Sequence, residues 1–426
     1  MTPTRRRQAV LVLALFALLF LNFSMNAFGV ALDKTWQQWQ LVGQGRVLGG
    51  IVADARGLEK GHVQLGEVYP GDEAPAQLTP QFLTAQTYRI YADLKAFPDI
   101  VFRPYRAQSG LQGRFYSGLH SMGISSITAL QTMVAILTSI AVVILFLFYV
   151  RAFNLSFALL FVACLALSPY FTTMARNLYW SPYLLFLPAI AACWIYLDRR
   201  PGVRTAGLVM VTIAMYLKCA SNYEYITSVT LLACAVFIAG PYFSNPSQPR
   251  PEFGLALQVG MACVVGFSIA LLLHAQMRGG GDLIVGLQDI YTQDIARRTF
   301  GDASRFTGET AESMRASVLD VLRIYFYEKY PGRSEMMMPG KVFLLLFVLA
   351  LAGLVHKALT RHRNFQRDAL LFLVFLSVPL SWFVLAKGHA FTQTHINFVL
   401  WFIGCMPAMI YVAASAVLAP LARDTT

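Results

Sequence analysis

Residues 126–151 read SITALQTMVAILTSIAVVILFLFYVR, an uninterrupted apolar run that ends at a basic residue, Arg151. A helix needs about 20 mostly apolar residues to cross a bilayer, so this run predicts a membrane-spanning helix. Working outward from it, the same criterion predicts nine more segments, which makes ten in all. These segments are 9–31, 154–171, 178–197, 203–220, 225–244, 252–275, 341–358, 368–386 and 396–418.

The composition agrees with this pattern. Of the 426 residues, 57% are hydrophobic and 13% are charged, whereas soluble domains carry roughly 25% charged residues. We therefore predict an all-α polytopic membrane protein with about ten transmembrane helices. Its expected parts are a module at 1–275 with a long loop at 32–125, a second loop at 276–340, and C-terminal helices at 341–426. The six cysteines mostly lie within apolar segments, where we expect them to pack as small apolar residues.

The connections between the segments alternate in chemistry. One set is short and basic, and Lys and Arg beside spanning helices favour the cytoplasmic side. With ten segments and both termini in the cytoplasm, every basic cluster lies inside, and the two long loops lie outside. This bias accounts for the net charge of +12. Because no solvated basic domain is present, we expect no nucleic-acid partner. The run after Arg5–Arg7 also has the form of a signal peptide, but we expect it to be retained as the first helix.

The polar residues of the outer connections are the candidates for chemistry, because charges at the edge of a spanning helix are costly. Each also has a structural interpretation: Arg176 could extend to the interface, Lys218 could pair with Glu224, and His395 could begin a helix. Four of the five outer connections carry such groups, and none of the inner ones does. The expected substrate pocket consists of Arg103, Tyr105, Arg106, Gln108, Gln112, Arg176, Tyr179, Lys218, Asn222, Glu224 and His395.

Two further roles have candidates. Asp33, directly after the first segment, and Asp54 could each act as a general base for an acceptor hydroxyl; the alternative is a solvated loop charge. For Asp72 and Glu73 we favour the solvated role. Arginine grips phosphate through two parallel hydrogen bonds. Basic groups in outer loops depart from the usual bias, so topology does not explain them; the expected phosphate-binding residues are Arg297, Arg298, Lys387 and His389.

The arrangement resembles the C-type glycosyltransferase superfamily (GT-C fold), whose members are integral membrane enzymes that use polyprenyl-phosphate sugars. The first helix enters a long outer loop, and a second long loop follows the seventh helix. Residues 104–113, PYRAQSGLQG, look like the first-loop signature of bacterial members that modify surface polysaccharide, and 41–58 is more weakly similar. The resemblance implies a bacterial inner-membrane enzyme with an extracytoplasmic active site.

The resemblance also implies a mechanism. A first-loop carboxylate, Asp33 or Asp54, would be the base, and Arg297 and Arg298 would hold the donor phosphate. The acceptor would be a glycan, lipid or protein, and neither a cofactor nor a metal is expected. Two alternatives remain. A polysaccharide polymerase or O-antigen ligase would use a diphosphate-linked donor, although such enzymes usually lack a long first loop. A transporter or flippase would place ionisable residues near the bilayer midplane, whereas here they crowd the outer edge.

Overall fold

Eight helices in the described part of the chain are long and apolar enough to cross a membrane. The computed structural model describes residues 3–61, 63–72, 78–327 and 340–421. The eight spans are Gln8–Met25, Ile127–Ala152, Pro201–Ser221, Ile226–Ser244, Phe253–Arg278, Gly340–Leu359, Phe365–Leu385 and Thr394–Val417. The chain is therefore a multi-pass, almost entirely helical membrane protein, as its composition predicted.

Two of the ten expected segments form helices that are too short to count among the eight spans. The segment expected at 154–171 divides into helices Leu155–Ala166 and Pro169–Met174. Ser168 starts the second helix, because its hydroxyl accepts a hydrogen bond from the backbone N–H of Phe171. The segment expected at 178–197 begins its helix only at Tyr183, because residues 178–182 form a turn in which Ser181 has a φ of 41°. Both short helices are largely buried among the longer ones.

The first long connection contains a mixture of helices and strands. Its helices are Asp33–Gln38, Leu41–Ala55, Pro80–Ala92 and Leu111–Ser121, with a 3-10 turn at Leu94–Ala96. Strands Gly66–Pro70 and Ile100–Pro104 pair antiparallel, with Glu67 opposite Arg103. The strand pair was not expected in a protein predicted to be all-α. Glu73 lies outside the described residues.

The second long connection is helical on both sides of a turn. Its first half contains helices Leu283–Ile290 and Ala296–Arg298, joined by the π-helical turn Tyr291–Ile295. After the 3-10 turn Ala303–Arg305, helices Gly308–Arg315 and Val318–Tyr327 complete the described part. The rest of the fold consists of helices Pro3–Met25, Ile226–Ala239, Pro241–Ser244, Lys387–Thr392, Thr394–Asn397 and Met406–Leu421 with the π-helical turn Trp401–Cys405.

Two adjacent glycines fix the first connection against itself. Gly49 and Gly50 lie in helix Leu41–Ala55, and a Cβ at Gly49 would come within 2.1 Å of the Gly66 carbonyl oxygen. A Cβ at Gly50 would lie equally close, 2.1 Å, to the carbonyl oxygen of Gln64. The missing side chains therefore let the helix approach the strand segment at backbone distance. This contact sets the position of the helix whose first turns face the site described below.

Both long connections lie at one end of the helix bundle, which we call the loop face. They meet there because the Arg106 carbonyl accepts hydrogen bonds from His274 (3.1 Å) and Arg278 (3.2 Å). The opposite end holds short basic connections, where Arg199 pairs with Glu252 at 2.5 Å. The chain therefore separates its two long connections from its short basic ones, as the alternation along the sequence predicted.

The opposite end also contains a buried ion pair that the sequence did not reveal. Lys357 and Asp368 pair with side-chain exposures of 1% and 0%. Ser415 donates to the same carboxylate at 3.2 Å, and Arg367 contacts it at 2.9 Å. Lys357 was expected only to set topology. The structure instead places it in a network that joins the last three spanning helices.

Candidate functional site

A polar cavity of about 420 Å³ opens at the loop face. Six residues predicted from the sequence line it: Tyr105, Tyr179, Glu224, Arg297, Arg298 and His389. Residues far apart in the chain thus come together where both long connections meet the ends of the spanning helices. The other lining residues are Gln40, Val42, Gly43, Arg46, Trp180, Glu309, Thr310, Thr392, Gln393 and Ile396.

Glu224 anchors one wall of this cavity. It is 4% exposed, and its two carboxylate oxygens accept hydrogen bonds from the Gln108 amide at 3.2 and 3.3 Å. The same amide nitrogen donates to the Tyr179 hydroxyl at 2.6 Å. Gln112 donates to the Tyr179 backbone carbonyl at 3.2 Å. The signature-like stretch 104–113 therefore supplies the amides that orient a carboxylate and a phenol.

Arg298 provides the positive charge opposite Glu224. Its guanidinium lies 3.8 Å from the Glu224 carboxylate, and its side chain is 13% exposed. Burial alone would lower the pKa of Arg298, but Glu224 and Tyr105 outweigh that effect and raise it above the ordinary value. The group is therefore a permanent cation inside the site, and a buried cation of this kind needs an anion near it.

Arg298 also lines a second cavity, which has a different chemistry. This cavity of about 290 Å³ lies between helices Ile226–Ala239, Phe253–Arg278 and Phe365–Leu385. Leu385, which is 51% exposed, brings the cavity to the outside of the bundle. The Arg298 guanidinium thus stands where a polar cavity meets a mostly apolar one. The other residues that line the second cavity are Ala107, Tyr223, Ile226, Thr227, Phe267, Leu271, Ile290, Asp294, Ile295, Thr299, Trp382 and Ala386.

Arg297 is placed differently from Arg298, although the two are adjacent in sequence. Its side chain is 48% exposed and lies 3.8 Å from Asp294 at the margin of the polar cavity. Asp294 is already paired with the buried Arg278, which also contacts Asp289 at 2.5 Å. Arg278 therefore ties helix Phe253–Arg278 to the segment that carries both arginines.

Two histidines approach the same cavity from the last turn of the loop face, which leads into the final spanning helix. Burial, together with Arg298 and Arg297, holds the pKa of His389 well below its usual range. His389 is therefore a neutral imidazole at physiological pH, able to accept a hydrogen bond or a proton. His395 lies 3.1 Å from the amide of Gln40, which lines the cavity.

Arg46 is a residue of the site that sequence reasoning missed. It lines the cavity, donates to the Glu67 carboxylate at 2.8 Å, and stacks on the Tyr105 ring with 3.7 Å to its centroid. The desolvation that opposes its charge is outweighed by these neighbours, so the pKa of Arg46 is raised. Arg46 is a basic residue in the first long connection, so the argument that selected Arg103 would also have selected it.

Neither proposed base lines the cavity. Asp54 pairs with Lys60, and its side chain is 41% exposed. It lies eleven residues after Gly43 on helix Leu41–Ala55, which at 1.5 Å per residue is about 16 Å along the axis. Asp33 is the exposed first residue of helix Asp33–Gln38. The carboxylates at the cavity are Glu224 and Glu309 instead.

Several predicted site residues make local structural contacts outside the cavity lining. Lys387 donates to the backbone carbonyls of Met314 at 2.8 Å and Ala316 at 2.5 Å, beside the end of helix Gly308–Arg315. Lys218 donates to the Asn222 carbonyl at 2.8 Å, so its near partner is Asn222 and not Glu224. Each lysine thus holds a helix end.

Three arginines predicted for the pocket also lie outside its lining. Arg176 donates to the Trp36 carbonyl at 3.0 Å and lies over the Trp36 ring at 3.9 Å. Arg103 and Arg106 have exposed side chains. Fewer basic residues therefore line the cavity than were predicted from the sequence.

No group of three or more His, Cys, Asp or Glu that could hold a metal ion occurs among the described residues. The arrangement offers a buried guanidinium, a hydrogen-bonded carboxylate and a neutral imidazole around one cavity. Such a set can bind an anion and accept a proton nearby. Comparisons with protein-family models, curated protein sequences and solved structures found no match to this chain.

Proposed function

We propose that this protein is a membrane glycosyltransferase that moves a sugar from a polyprenyl-phosphate donor to an acceptor hydroxyl. The observation that carries the proposal is the position of Arg298, which lines both the polar and the apolar cavity. A lipid-linked phosphate has the same division, because its charge adjoins a long apolar tail. The resemblance to the GT-C superfamily in loop arrangement supports the same reaction class.

The donor would lie across the two cavities. Its phosphate would sit against Arg298, its prenyl tail would enter the apolar cavity beside Leu385, and its sugar would occupy the polar cavity. When the sugar's C1–O bond breaks, negative charge builds on the departing phosphate. A guanidinium fixed there in advance stabilises that charge without reorganising, which lowers the barrier. The product polyprenyl phosphate would leave through the membrane.

Glu224 is the base that we assign in place of Asp33 or Asp54. The acceptor oxygen would form the new bond to C1, and its proton would pass to the Glu224 carboxylate. Gln108 fixes that carboxylate with hydrogen bonds of 3.2 and 3.3 Å to its two oxygens. The donor phosphate would take over Arg298, which now lies 3.8 Å from Glu224. Neutral His389 would accept a hydrogen bond from the sugar or the acceptor.

The loop face would be extracytoplasmic, in the inner membrane of a bacterium, with both termini in the cytoplasm. The exposed basic residues Arg199 and Arg200 at the opposite end support this orientation, because Lys and Arg next to spanning helices favour the cytoplasm. A glycan, glycolipid or glycoprotein acceptor would then reach the polar cavity from outside.

Mass spectrometry of surface glycans tests this function. Cells lacking the protein should lose one sugar residue from a surface glycan, and the native chain should restore it. Glu224→Gln should fail to restore it at equal membrane abundance, because the amide keeps the size but cannot take the proton. The matched control, Asp54→Asn, alters an exposed carboxylate outside the cavity and should restore it fully. Identical glycans with and without the protein would contradict the proposal.

A further inference from the structure

Arg114 has no partner that explains its position. Among the described residues, its exposed guanidinium makes no hydrogen bond and no ion pair. It lies in helix Leu111–Ser121 at the loop face, where a basic residue departs from the usual charge bias. It does not line the polar cavity, so the proposed reaction does not use it.

Two clefts flank Arg114, and it lines both. One, of about 480 Å³, lies between helices Pro201–Ser221 and Phe253–Arg278. The other, of about 500 Å³, is lined from helices Ile127–Ala152, Tyr183–Leu197 and Pro201–Ser221. Their walls are mostly apolar, and Leu111 is the other residue common to both. Neither cleft shares a lining residue with the cavities at Arg298.

The clefts extend from the loop face into the adjacent leaflet. Leu137, in the second cleft, is ten residues from the start of its helix, or about 15 Å at 1.5 Å per residue. Ala270, in the first, is eight residues from the end of its helix, or about 12 Å. Both helices have 26 residues and are about 39 Å long, so each extends about 4–5 Å beyond the hydrocarbon core of about 30 Å at either end. Leu137 and Ala270 therefore lie about 8–10 Å inside the hydrocarbon of that leaflet.

We infer that Arg114 binds the phosphate of a diacyl glycerophospholipid in the leaflet on the loop face, with one acyl chain in each cleft. The charge complements a phosphodiester, and two apolar clefts that meet at one cation match two chains that meet at one phosphate. A polyprenyl phosphate has a single tail and would leave one cleft empty. The site is therefore distinct from the donor site at Arg298.

The bound lipid would act on the proposed active site through helix Leu111–Ser121. Ser109, beside the first cleft, donates to the Ala220 carbonyl at 2.6 Å, and Gln112, beside the second, donates to the Tyr179 carbonyl at 3.2 Å. Gln108 directly precedes Ser109 in the chain. A lipid that fixes the position of Arg114 and its helix would therefore also fix the Gln108 amide that orients Glu224.

Native mass spectrometry of the full chain in detergent tests this inference. Titration with dioleoyl phosphatidylglycerol should give one bound lipid. Arg114→Gln should weaken that binding at least about tenfold, the effect of losing one charge-assisted contact. Arg103→Gln, which removes an exposed arginine of the same connection away from both clefts, should leave it unchanged. Equal binding by Arg114→Gln and the native chain would overturn the inference.

Two further lipids test whether binding needs both acyl chains and the phosphate. Lyso-phosphatidylglycerol has one chain and dioleoylglycerol has no phosphate, so each should bind at least tenfold more weakly than the diacyl phospholipid. Leu187→Trp fills part of the second cleft and should reduce diacyl binding to the level of the lyso lipid, with an unchanged melting temperature. Lyso and diacyl lipids that bind the native chain equally well would contradict the assignment of one chain to each cleft.

Discussion

Replacing Arg298 by Gln should weaken donor binding strongly, whereas the same substitution at Arg297 should change it little. Arg298 is 13% exposed and stands between the polar and apolar cavities, whereas Arg297 is 48% exposed at the margin. Losing one partner of a buried charge pair costs about 2–5 kcal/mol. At about 1.4 kcal/mol per tenfold, this predicts binding weaker by about 30-fold to several thousand-fold. Arg297 is exposed, and an exposed ion pair contributes only about 0–1 kcal/mol. Arg297→Gln should therefore weaken donor binding at most about fivefold.

The assay is binding of undecaprenyl phosphate to the purified chain, measured by native mass spectrometry or by shift of the melting temperature. Arg298→Gln also leaves Glu224 buried without its cation, so a folding defect must be separated from a binding defect. The double variant Arg298→Gln with Glu224→Gln removes both charges and should recover most of any lost stability. It should still fail to bind the lipid phosphate.

Two results would refute this reasoning. One is undecaprenyl phosphate binding by the double variant within threefold of the native chain. The other is an equal loss of affinity in Arg297→Gln and Arg298→Gln, because burial would then not distinguish the two arginines. Either result would remove the phosphate site from the junction of the two cavities.

Three further predictions follow from other parts of the fold. Asp368→Asn leaves Lys357 buried without a counter-charge and should destabilise the chain by about 3–5 kcal/mol in thermal unfolding, and Lys357→Met with Asp368→Leu should recover most of it. Impermeant thiol labelling of single cysteines at exposed positions 59 and 305 should succeed from outside the cell, and labelling at exposed positions 202 and 361 should not; the reverse pattern would reverse the orientation. Because the pKa of His389 is lowered on folding, its stability contribution is complete above the unfolded value near 6.5 and is lost as pH falls below it. The free energy of unfolding should therefore fall between pH 6.5 and 5, by at most about 1.4 kcal/mol per pH unit, and the melting temperature should fall with it; His389→Gln should flatten this slope.

Apolar runs were the reliable part of the sequence. Length and hydrophobicity place a spanning helix almost independently of the rest of the chain, so seven of the eight spans agree with expectation within three residues at each end. The first was expected to end at residue 31 but ends at Met25. The exceptions, 154–171 and 178–197, contain Ser168-Pro169 and Ser181-Pro182. These residues end and restart helices, and their effect on a segment depends on neighbours that bury the resulting turns.

The sequence predicted the chemical character of the candidate site but only some of the residues that form it. Polar residues at the edges of spans indicated Tyr179 and Glu224, because polar groups are costly there whatever they contact. Arg298 was indicated by its position in a long loop, where a basic residue departs from the usual charge bias. The sequence could not show how far each candidate side chain lies from the cavity. Asp54 and Arg46 share one helix, yet only Arg46 reaches the cavity, because the close contact at Gly49 and Gly50 directs the far end of the helix elsewhere.

Long-range pairs were the least accessible feature. The Gln108–Glu224 contact spans 116 residues, and it depends on how the first connection settles on the spanning helices. The buried Lys357–Asp368 pair joins residues that a charge count assigns separately to a basic connection and a helix start. A single sequence contains no signal that such groups meet, because packing of the whole bundle decides it.

The central claim, a polyprenyl-phosphate sugar held between Arg298 and Glu224, can be tested on lipid that copurifies with the chain. Glu224→Gln should bind the donor but not consume it, so mass spectrometry of extracted lipids should find a polyprenyl-phosphate monosaccharide bound to it. Glu224→Gln combined with Arg298→Gln should carry none. A diphosphate-linked glycan in place of the monosaccharide phosphate, or equal lipid on both variants, would contradict the account.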